Sequence, residues 1–468
     1  MSCFFSFRKE LPFIFPLFGP LLVSQYAQIG LGAVDTAMAA RLGTVELGSV
    51  AVGVALWMPV YMFTIGIVYA SLILVSQHNG AGDDDGTRFT AQQGAWLGLL
   101  LGLLSAGLVY LLSLRIDLFG ASAEMILPAQ EYLRALLWGL PFGSMALGLR
   151  FYCEGQNTVF PVTVMILVMV GLGAFLNYGL MFGNFGLPAL GLYGCGLATA
   201  LSMACFFCML CLYVRFSPKF APKGFFRRIS LPDPRGMLRI FKLGLPLGFG
   251  ATSEFLIFSV IVMFISTRGA AATAAHQIAF TCMMLLFATP AALSFAASIR
   301  VGNLYGLGDR QALRQAITGI LTLSGLLGLA FTLVLLLNAN GMARAFSDDA
   351  AVIPLAASIL QVAAFFQFAD AMQVCLNGTL RGAGDTTIPF VMTIVTYWLF
   401  CLPSGYALSG MPLPFNLTLS QDFLGIRGWW VALTISISLV AILLAFRVYS
   451  IFWKVPNTIE NEHTDHIF

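Results

Sequence analysis

The sequence predicts an all-α integral membrane protein, with twelve transmembrane helices in two six-helix lobes related by a pseudo-two-fold axis along the membrane normal. The first observation is composition: 59% of the 468 residues are hydrophobic, 10% are charged, and the mean hydropathy is +0.88. Soluble domains are roughly 45–50% apolar and about 25% charged. The second observation is a series of twelve long apolar runs, and the third is an internal repeat.

Each apolar run is long enough to cross a bilayer, which takes about 20 residues in a helix. The first run is too long for the core of a signal peptide and has no obvious small-residue cleavage site after it, so we expect it to be retained as a span. The predicted spans lie near residues 12–36, 48–75, 93–114, 133–153, 159–182, 192–214, 240–265, 271–298, 313–337, 354–379, 386–408 and 429–452.

The basic residues predict the orientation. With the N-terminus inside, the cytoplasmic segments carry eighteen Lys and Arg residues and the outer segments carry six. This positive-inside bias predicts that both termini are cytoplasmic. The cytoplasmic charges are densest between spans six and seven, where we expect anionic lipid headgroups, and not nucleic acid, as the partner. The six outer residues are Arg41, Arg115, Arg134, Arg268, Arg344 and Arg427.

The two halves of the chain repeat each other. A displacement of 226 residues places Pro20 on Pro246 and Asp83 on Asp309. Because each half has an even number of spans, both halves enter the membrane in the same direction, as in transporters with parallel repeats and a substrate site between them. The predicted domains are an N-terminal lobe at 1–214, a basic cytoplasmic linker at 215–239, a C-terminal lobe at 240–453 and a polar cytoplasmic tail at 454–468.

Three glycine-rich loops need an explanation. They read "NGAGD" at 79–83, "LYGLGD" at 304–309 and "RGAGD" at 381–385. A phosphate-binding site would need only one such loop, whereas three loops of this kind occur here, at the cytoplasmic ends of spans. We therefore interpret all three as a helix stop followed by a turn.

Three acidic residues lie within predicted spans: Asp35, Glu254 and Asp370. A charge at the centre of a transmembrane helix costs about 2.5–3.5 kcal/mol by the most lenient scale. None has a Lys or Arg within its own predicted span. Burial without a cationic partner favours the neutral carboxyl, which suits proton coupling. An ionised carboxylate with nearby oxygen atoms could instead hold Na⁺.

Polar and aromatic neighbours accompany these acids. Gln28 lies two helical turns before Asp35, and the two share a helix face. An acid among phenylalanine rings suits a lipophilic cation, since the rings add apolar and cation–π contact. The alternative is that each acid caps a helix, most of all Asp35, which lies near the end of its span. The neighbours in the second half are Ser253, Gln367 and Gln373.

Several long motifs resemble the multidrug and toxic compound extrusion (MATE) family, and within it the bacterial NorM-type branch. They are "QYAQIGLGAVDTAMAARLG" after Pro20, "PLGFGATSEFLIFSV" at 246–260, "AHQIA" at 275–279, "FFQFADAMQVCLNGTLRGAGDTTIPF" at 365–390 and "LNYGLMFGNFGLPALGLYGCGLATA" at 176–200. The resemblance covers essentially the whole chain. It implies a multi-pass protein of the cell inner membrane that exports drugs in exchange for H⁺ or Na⁺.

The resemblance also implies roles for particular residues. The family's acids in spans one, seven and ten match Asp35, Glu254 and Asp370, its span-one proline matches Pro20, and the asparagine of its span-five motif matches Asn177. We expect Glu254 and Asp370 to form the ion-coupling site, with polar help from Ser253 and Gln367. Asp35, with Gln28 and Asn177, would link substrate to protons, and Pro20 would be a helix hinge.

Two positions depart from the family pattern. Some members carry a tyrosine that helps to hold the cation where this chain has Phe287 and Phe366. We expect both rings to line the aromatic cleft. The loss of two hydroxyl groups weakens the case for Na⁺, and the coupling ion stays open between H⁺ and Na⁺.

Two other functional classes fit the sequence less well. An exporter of a lipid-linked precursor or metabolite on the same scaffold would favour a basic cleft, whereas this chain has three acids and no lysine within its spans. A membrane enzyme would need a nucleophile–base pair or a metal cluster at membrane depth, and we find neither. We expect no cofactor, organic cations as substrates, and a monomer in the bilayer.

Overall fold

The computed structural model describes residues 2–119, 122–410 and 424–454, with side chains from residue 7 onward. Within these ranges, eleven helices are long and apolar enough to cross a membrane. A twelfth crossing is divided between two shorter helices, α4 and α5. The helices are α1 Ser2–Leu42, α2 Thr44–Gly80, α3 Asp84–Ser113, α4 Ala123–Leu136, α5 Gly139–Gly155, α6 Phe160–Phe182, α7 Gly191–Phe216, α8 Pro234–Ser266, α9 Ala270–Leu307, α10 Arg310–Phe346, α11 Val352–Gly382, α12 Thr387–Ile394, α13 Leu402–Leu408 and α14 Arg427–Phe452.

The two six-span lobes consist of α1–α7 and α8–α14. In the second lobe, α9, α10, α11 and α14 pack side by side, and α12 lies against α8. The eleventh crossing contains a π-helical segment, Val395–Cys401, between α12 and α13. The predicted polar tail, apart from Lys454, lies outside the described residues.

Most helices are longer than the apolar runs that predicted them. The first span was expected near 12–36, but α1 runs from Ser2 to Leu42. A helix can continue beyond the hydrocarbon because its backbone hydrogen bonds do not depend on apolar side chains. Glycine turns follow the ends of α2 and α9: Gly82 and Gly308 have left-handed φ values of +73° and +76°. The next residues, Asp83 and Asp309, cap the following helices.

These caps confirm the turn interpretation of the first two glycine loops. The Oδ1 atom of Asp83 accepts from the backbone N–H of Gly86 at 2.8 Å. The third loop also turns at a left-handed glycine, Gly384. Its acid differs, because Asp385 pairs with Arg447 of α14 at 2.8 Å.

The fourth span was expected at 133–153, and this boundary was wrong. The span begins at Ala123, and α4 and α5 meet at a turn around Trp138. The sequence did not predict the first part of α4, because Glu131 and Arg134 interrupt its apolar pattern. The turn lies where Gly139 contacts α7 so closely that a Cβ atom would collide with Ala200.

The connection between the lobes spans residues 217–233, which is shorter than the predicted linker at 215–239. It is bound to the first lobe by two glutamines of α3: Gln92 donates to the carbonyl oxygen of Phe225 at 2.7 Å, and Gln93 accepts from the N–H of Asp233 at 2.8 Å. Lys219 donates to the carbonyl oxygen of Gln156 at 2.6 Å. Burial, together with the nearby charge of Lys223, lowers the pKa of Lys219. We call the side of the molecule that carries this connection the linker face.

The lobes meet between the linker face and the middle of the membrane. Asn79 donates to Asn303 of the second lobe at 2.5 Å, and Asn303 donates to the carbonyl oxygen of Gly155 at 3.1 Å. Nearer the middle, the hydroxyl group of Tyr26 lies 3.1 Å from that of Thr289. The cross-lobe hydrogen bonds of the described residues lie between the linker face and the middle of the helices, where Tyr26 also donates to the carbonyl oxygen of Leu285 at 3.1 Å. The lobes are therefore joined at the linker face, and no such bond holds them together near the opposite face.

Two glycine contacts at this junction are related by the repeat. A Cβ atom on Gly80 would collide with the carbonyl group of Asn303, and a Cβ atom on Gly306 would collide with that of Gln77. The repeat places Gly80 on Gly306 and Gln77 on Asn303. The pseudo-two-fold axis therefore passes between the linker-face ends of α2 and α9.

We predict that Gly306→Ala destabilises this junction. The new methyl group would push α2 away from α9, and overpacking of this kind typically costs about 1–3 kcal/mol. The measurement is the thermal unfolding midpoint of the purified variant in detergent.

Gly107→Ala is the matched control, because a Cβ atom on Gly107 of α3 would meet no other atom within 4 Å. Alanine there should be neutral or slightly stabilising. Equal midpoints for the two variants would mean that the glycine contact at the junction does not limit packing.

Candidate functional site

Two of the predicted acids lie inside the second lobe. Asp370 of α11 is 6% exposed, and Glu254 of α8 is half-buried. The two carboxyl groups are close enough for the charge of Glu254 to act on Asp370. The fold therefore brings together two acids that are more than a hundred residues apart in the chain.

Two buried side-chain amides, Gln367 and Gln373, lie three residues before and three residues after Asp370 in α11. Gln367 is fully buried, and neither its amide nitrogen nor its oxygen has a hydrogen-bond partner among the residues described. The side chain of Gln373 is also buried and lies within hydrogen-bonding reach of the carboxyl group of Glu254. Because buried polar groups are almost always hydrogen-bonded, the unpartnered amide of Gln367 marks a place where an ion or water can bind.

Tyr397 is a neighbour of both acids that the sequence analysis missed. It lies in the π-helical segment, is 6% exposed, and is within range of the charges of Glu254 and Asp370. The two tyrosine hydroxyl groups expected from the family are absent at Phe287 and Phe366, but Tyr397 brings a phenol from another helix. π-Helical turns often occur at functional sites, and no regular pattern in the sequence "TYWLF" indicates one.

A basic side chain, that of Arg381, also lies close to the acid pair, which the sequence analysis did not predict. The tenth span was expected to end at 379, but α11 continues to Gly382 and includes Arg381. Arg381 and Glu254 line the same small cavity, together with Asn377. No ion pair shorter than 4.0 Å joins Arg381 to either acid within the described ranges. Arg381 lies beyond the predicted span, so the expectation that Asp370 has no basic partner within that span is unchanged, but a basic side chain does lie beside Glu254.

Ser253 is bound by a neighbouring helix, and Phe366 lies elsewhere than predicted. Ser253 accepts a hydrogen bond from the indole N–H of Trp398 at 2.6 Å, so it joins α8 to the π-helical segment. Phe366 is 6% exposed, and its ring packs edge-on against Trp430 at 6.0 Å. It therefore lies in the core of the lobe and does not line an open cleft. Phe287 is partly exposed.

The third acid lies in the first lobe, near the face opposite the linker. The amide nitrogen of Asn177 in α6 donates to Oδ1 of Asp35 at 2.5 Å. Asn177 is 1% exposed, and its own oxygen has no partner among the described residues. Tyr132 and Cys195 are within range of the Asp35 charge. Asp35 is thus held by a side chain from a neighbouring helix of its own lobe.

Gln28 and Pro20 are engaged elsewhere in α1. The side-chain amide of Gln28 donates to the backbone carbonyl of Ser24 at 3.1 Å, and no described bond joins it to Asp35. Helix α1 continues through Pro20 without a break. The carbonyl oxygen of Pro20 accepts from the hydroxyl groups of Ser24 and Thr163. In this conformation, Pro20 is therefore a point of contact with α6.

Two further acids are buried, although both lie outside the predicted spans. Glu154 is 1% exposed and accepts from Nε of Arg150 at 2.7 Å, one helical turn away in α5. Glu10 is 4% exposed and pairs across the lobes with Arg300 at 3.2 Å. In the sequence, the four-residue spacing of Arg150 and Glu154 could have indicated this ion pair within one helix. Glu154 and Glu10 each form an ion pair with an arginine. Asp370 and Asp35 form none within the described ranges, and this difference distinguishes structural acids from candidate functional ones.

The MatE family model matches this chain twice, over residues 20–179 and 246–407. The two matches begin at Pro20 and Pro246, the pair that the internal repeat aligns. The multidrug resistance protein NorM of Aliivibrio fischeri is 33% identical over 444 residues, which cover 94% of this chain and 95% of that protein. The multidrug resistance protein PmpM of Pseudomonas aeruginosa is 35% identical over 443 residues, covering 94% and 91%.

The fold is also found in a solved structure. The crystal structure of the Vibrio cholerae MATE transporter VcmN in the bent form is similar to this chain with a TM-score of 0.83, covering 96% of this chain and 99% of that one. The sequences are 16% identical. This likeness confirms the predicted fold of twelve helices in two lobes.

We predict that Glu154→Gln strongly destabilises the first lobe. The substitution would leave the guanidinium group of Arg150, 11% exposed, without its counter-charge. Removal of one partner from a buried ion pair typically costs about 3–5 kcal/mol. The measurement is the unfolding midpoint of the purified protein, and the double variant Arg150→Met/Glu154→Gln should recover much of the loss.

Asp117→Asn is the control for this prediction. Asp117 pairs with Arg115 at 3.7 Å, but both side chains are more than half exposed (64% and 57%). Exposed pairs contribute about 0–1 kcal/mol. If Glu154→Gln and Asp117→Asn had equal effects, the buried pair would not be structural.

Proposed function

The chain belongs to the MatE family, and on that premise we propose that it is a cation-coupled multidrug antiporter that exports lipophilic organic cations by alternating access. Two close relatives bear the name multidrug resistance protein. The family and the apolar helices make the chain a multi-pass membrane transporter. We further propose the inner membrane, cytoplasmic termini and a monomeric state.

The observation that carries this proposal is the pair of acids inside the second lobe. The charge of Glu254 acts on Asp370, Gln373 lies beside Glu254, and the unpartnered amide of Gln367 is one helical turn from Asp370. Two carboxylates that share a low-dielectric site repel each other, which favours uptake of a cation. We propose that this cation is H⁺, because a single proton relieves the repulsion without a full set of oxygen ligands.

The junction at the linker face supports the alternating-access part of the proposal. Asn303 receives a hydrogen bond from Asn79 and donates one to the carbonyl oxygen of Gly155. Neutral hydrogen bonds of this kind contribute about 0.5–1.5 kcal/mol each. These bonds and the ion pair of Glu10 with Arg300 close this side of the transporter and would separate in each cycle.

Asp35 supports the substrate part of the proposal. It lies toward the face opposite the linker, where no cross-lobe hydrogen bond of the described residues closes the protein. When ionised, it would attract a cationic drug, and when protonated it would lose that attraction. The hydrogen bond from Asn177 orients the carboxyl group without adding a charge.

We predict that Glu254→Gln and Asp370→Asn each abolish gradient-driven efflux of a fluorescent lipophilic cation. Each substitution keeps the size of the side chain but removes the group that takes up the coupling ion. The measurement is transport in proteoliposomes, with the pH and Na⁺ gradients imposed separately. The pH gradient alone should drive the wild-type protein.

Glu124→Gln is the matched control, because Glu124 is exposed at the start of α4 and should be replaceable. Wild-type efflux by both interior variants would refute the coupling site. Transport that needs Na⁺ at a constant pH gradient would replace H⁺ by Na⁺. Export of an anionic, lipid-linked substrate without any cation would favour the other exporter class.

We predict that Asp35→Asn binds cationic drugs about tenfold more weakly and loses the pH dependence of drug release. Loss of a unit charge a few ångströms from a cation removes about 1 kcal/mol or more, depending on the local dielectric. The new amide can still accept from Asn177, so the fold should persist. The measurement is drug affinity against pH for the purified variant.

A capping role for Asp35 gives the opposite pattern. The thermal midpoint would fall while the affinity curve stayed unchanged. Such a result would leave the coupling site of the second lobe intact but remove Asp35 from the transport cycle.

A further inference from the structure

A groove on the outside of the second lobe is distinct from the acid site. It lies between α10, α11 and α14 and holds about 490 Å³. Its walls include Leu336, Val362 and Phe365, and its polar members include Gln361 and Arg427. The volume is within the range typical of small-ligand sites, about 300–1,000 Å³.

The groove faces away from the first lobe. Contacts with the first lobe come chiefly from α8, α9 and α10, whereas α14 packs against helices of its own lobe. Along α11, the groove residues Ser358, Gln361 and Phe365 lie on the side opposite Asp370, which points into the lobe. In a bilayer, this surface therefore meets lipid.

Two polar side chains in the groove lack partners. Within the described ranges, Arg427 and Gln361 are both exposed and have no hydrogen-bond or ion-pair partner. A side-chain amide that faces hydrocarbon is costly unless something satisfies it, because lipid chains offer no hydrogen bonds. Arg427 begins α14, at the end of the span predicted to be outside. The guanidinium group thus lies at the headgroup level, with the apolar walls deeper in the membrane.

We propose that this groove binds an acidic glycerophospholipid of the outer leaflet. The phosphate group would pair with Arg427, the ester region would accept from the amide of Gln361, and one acyl chain would lie along Val362, Phe365 and Val431. Basic residues beside clefts between transmembrane helices bind anionic headgroups in this way. A cationic drug does not fit, since Arg427 would repel it, and a soluble anion would gain nothing from the apolar walls.

The test is native mass spectrometry of the full chain, after equilibration in neutral detergent with equal amounts of phosphatidylglycerol and phosphatidylcholine of the same chain length. We expect the wild type to retain one tightly bound phosphatidylglycerol in preference to phosphatidylcholine. Arg427→Gln should reduce the retained fraction about fivefold, because one basic residue near the surface contributes about that factor.

Arg344→Gln is the matched control. Arg344 is exposed near the end of α10, on the same predicted side of the membrane, but it does not line the groove. Lipid that binds to the basic linker should be retained in equal amounts by all variants, so it does not affect the comparison between them. Arg344→Gln should retain phosphatidylglycerol like the wild type.

A second variant tests the groove itself. Val431→Trp would fill the space for the acyl chain and should release the lipid while Arg427 remains, with an unchanged circular-dichroism spectrum. The proposal is overturned if Arg427→Gln binds as the wild type does, if Arg344→Gln loses as much, if phosphatidylcholine is retained equally, or if Val431→Trp keeps its lipid.

Discussion

The cost of an unpaired polar group in hydrocarbon is the constraint on which this architecture depends. Arg150 and Glu154 meet it by pairing within one helix, and Glu10 and Arg300 meet it by pairing between the lobes. Asp35 meets it with an amide from Asn177. Inside the second lobe the constraint is left unmet: Asp370 lies near another acid, and Gln367 has no partner among the described residues. A site that stays unsatisfied after folding is one in which an arriving ion gains the most.

The sequence predicted the features that depend on local pattern. Apolar runs predicted twelve spans, and Gly82 with Asp83 predicted a helix stop and turn, because both rest on residues adjacent in the chain. The position of Glu254 near Asp370 followed from the family resemblance and from their depth in the spans. The split of the fourth span was missed, because the polar residues of α4 hide a helix that is buried by its neighbours.

What the sequence could not predict depends on contacts between distant segments. Tyr397 reaches the acid pair because a π-helical segment carries it there, and Trp398 fixes that segment by its bond to Ser253. Arg381 joined the same helix as Asp370 only because α11 continues past its apolar run. Phe366 was expected in a cleft, but Trp430 covers its ring. Which helices pack against each face of α11 cannot be deduced from the sequence of α11 alone.

The repeat is kept where the lobes meet but not at the acidic residues, and this difference suits the antiporter that we propose. Gly80 and Gly306 make equivalent contacts, so the repeat axis, which runs along the membrane normal, passes between α2 and α9. The acids are not equivalent: the repeat places Gln28, which binds its own helix, on Glu254. Two identical lobes would bind the same ion at the same depth. The second lobe holds an acid pair, and the first lobe holds a single acid near the far face. In the antiporter that we propose, these would be two different sites, and occupation of one would alter the other through the shared junction.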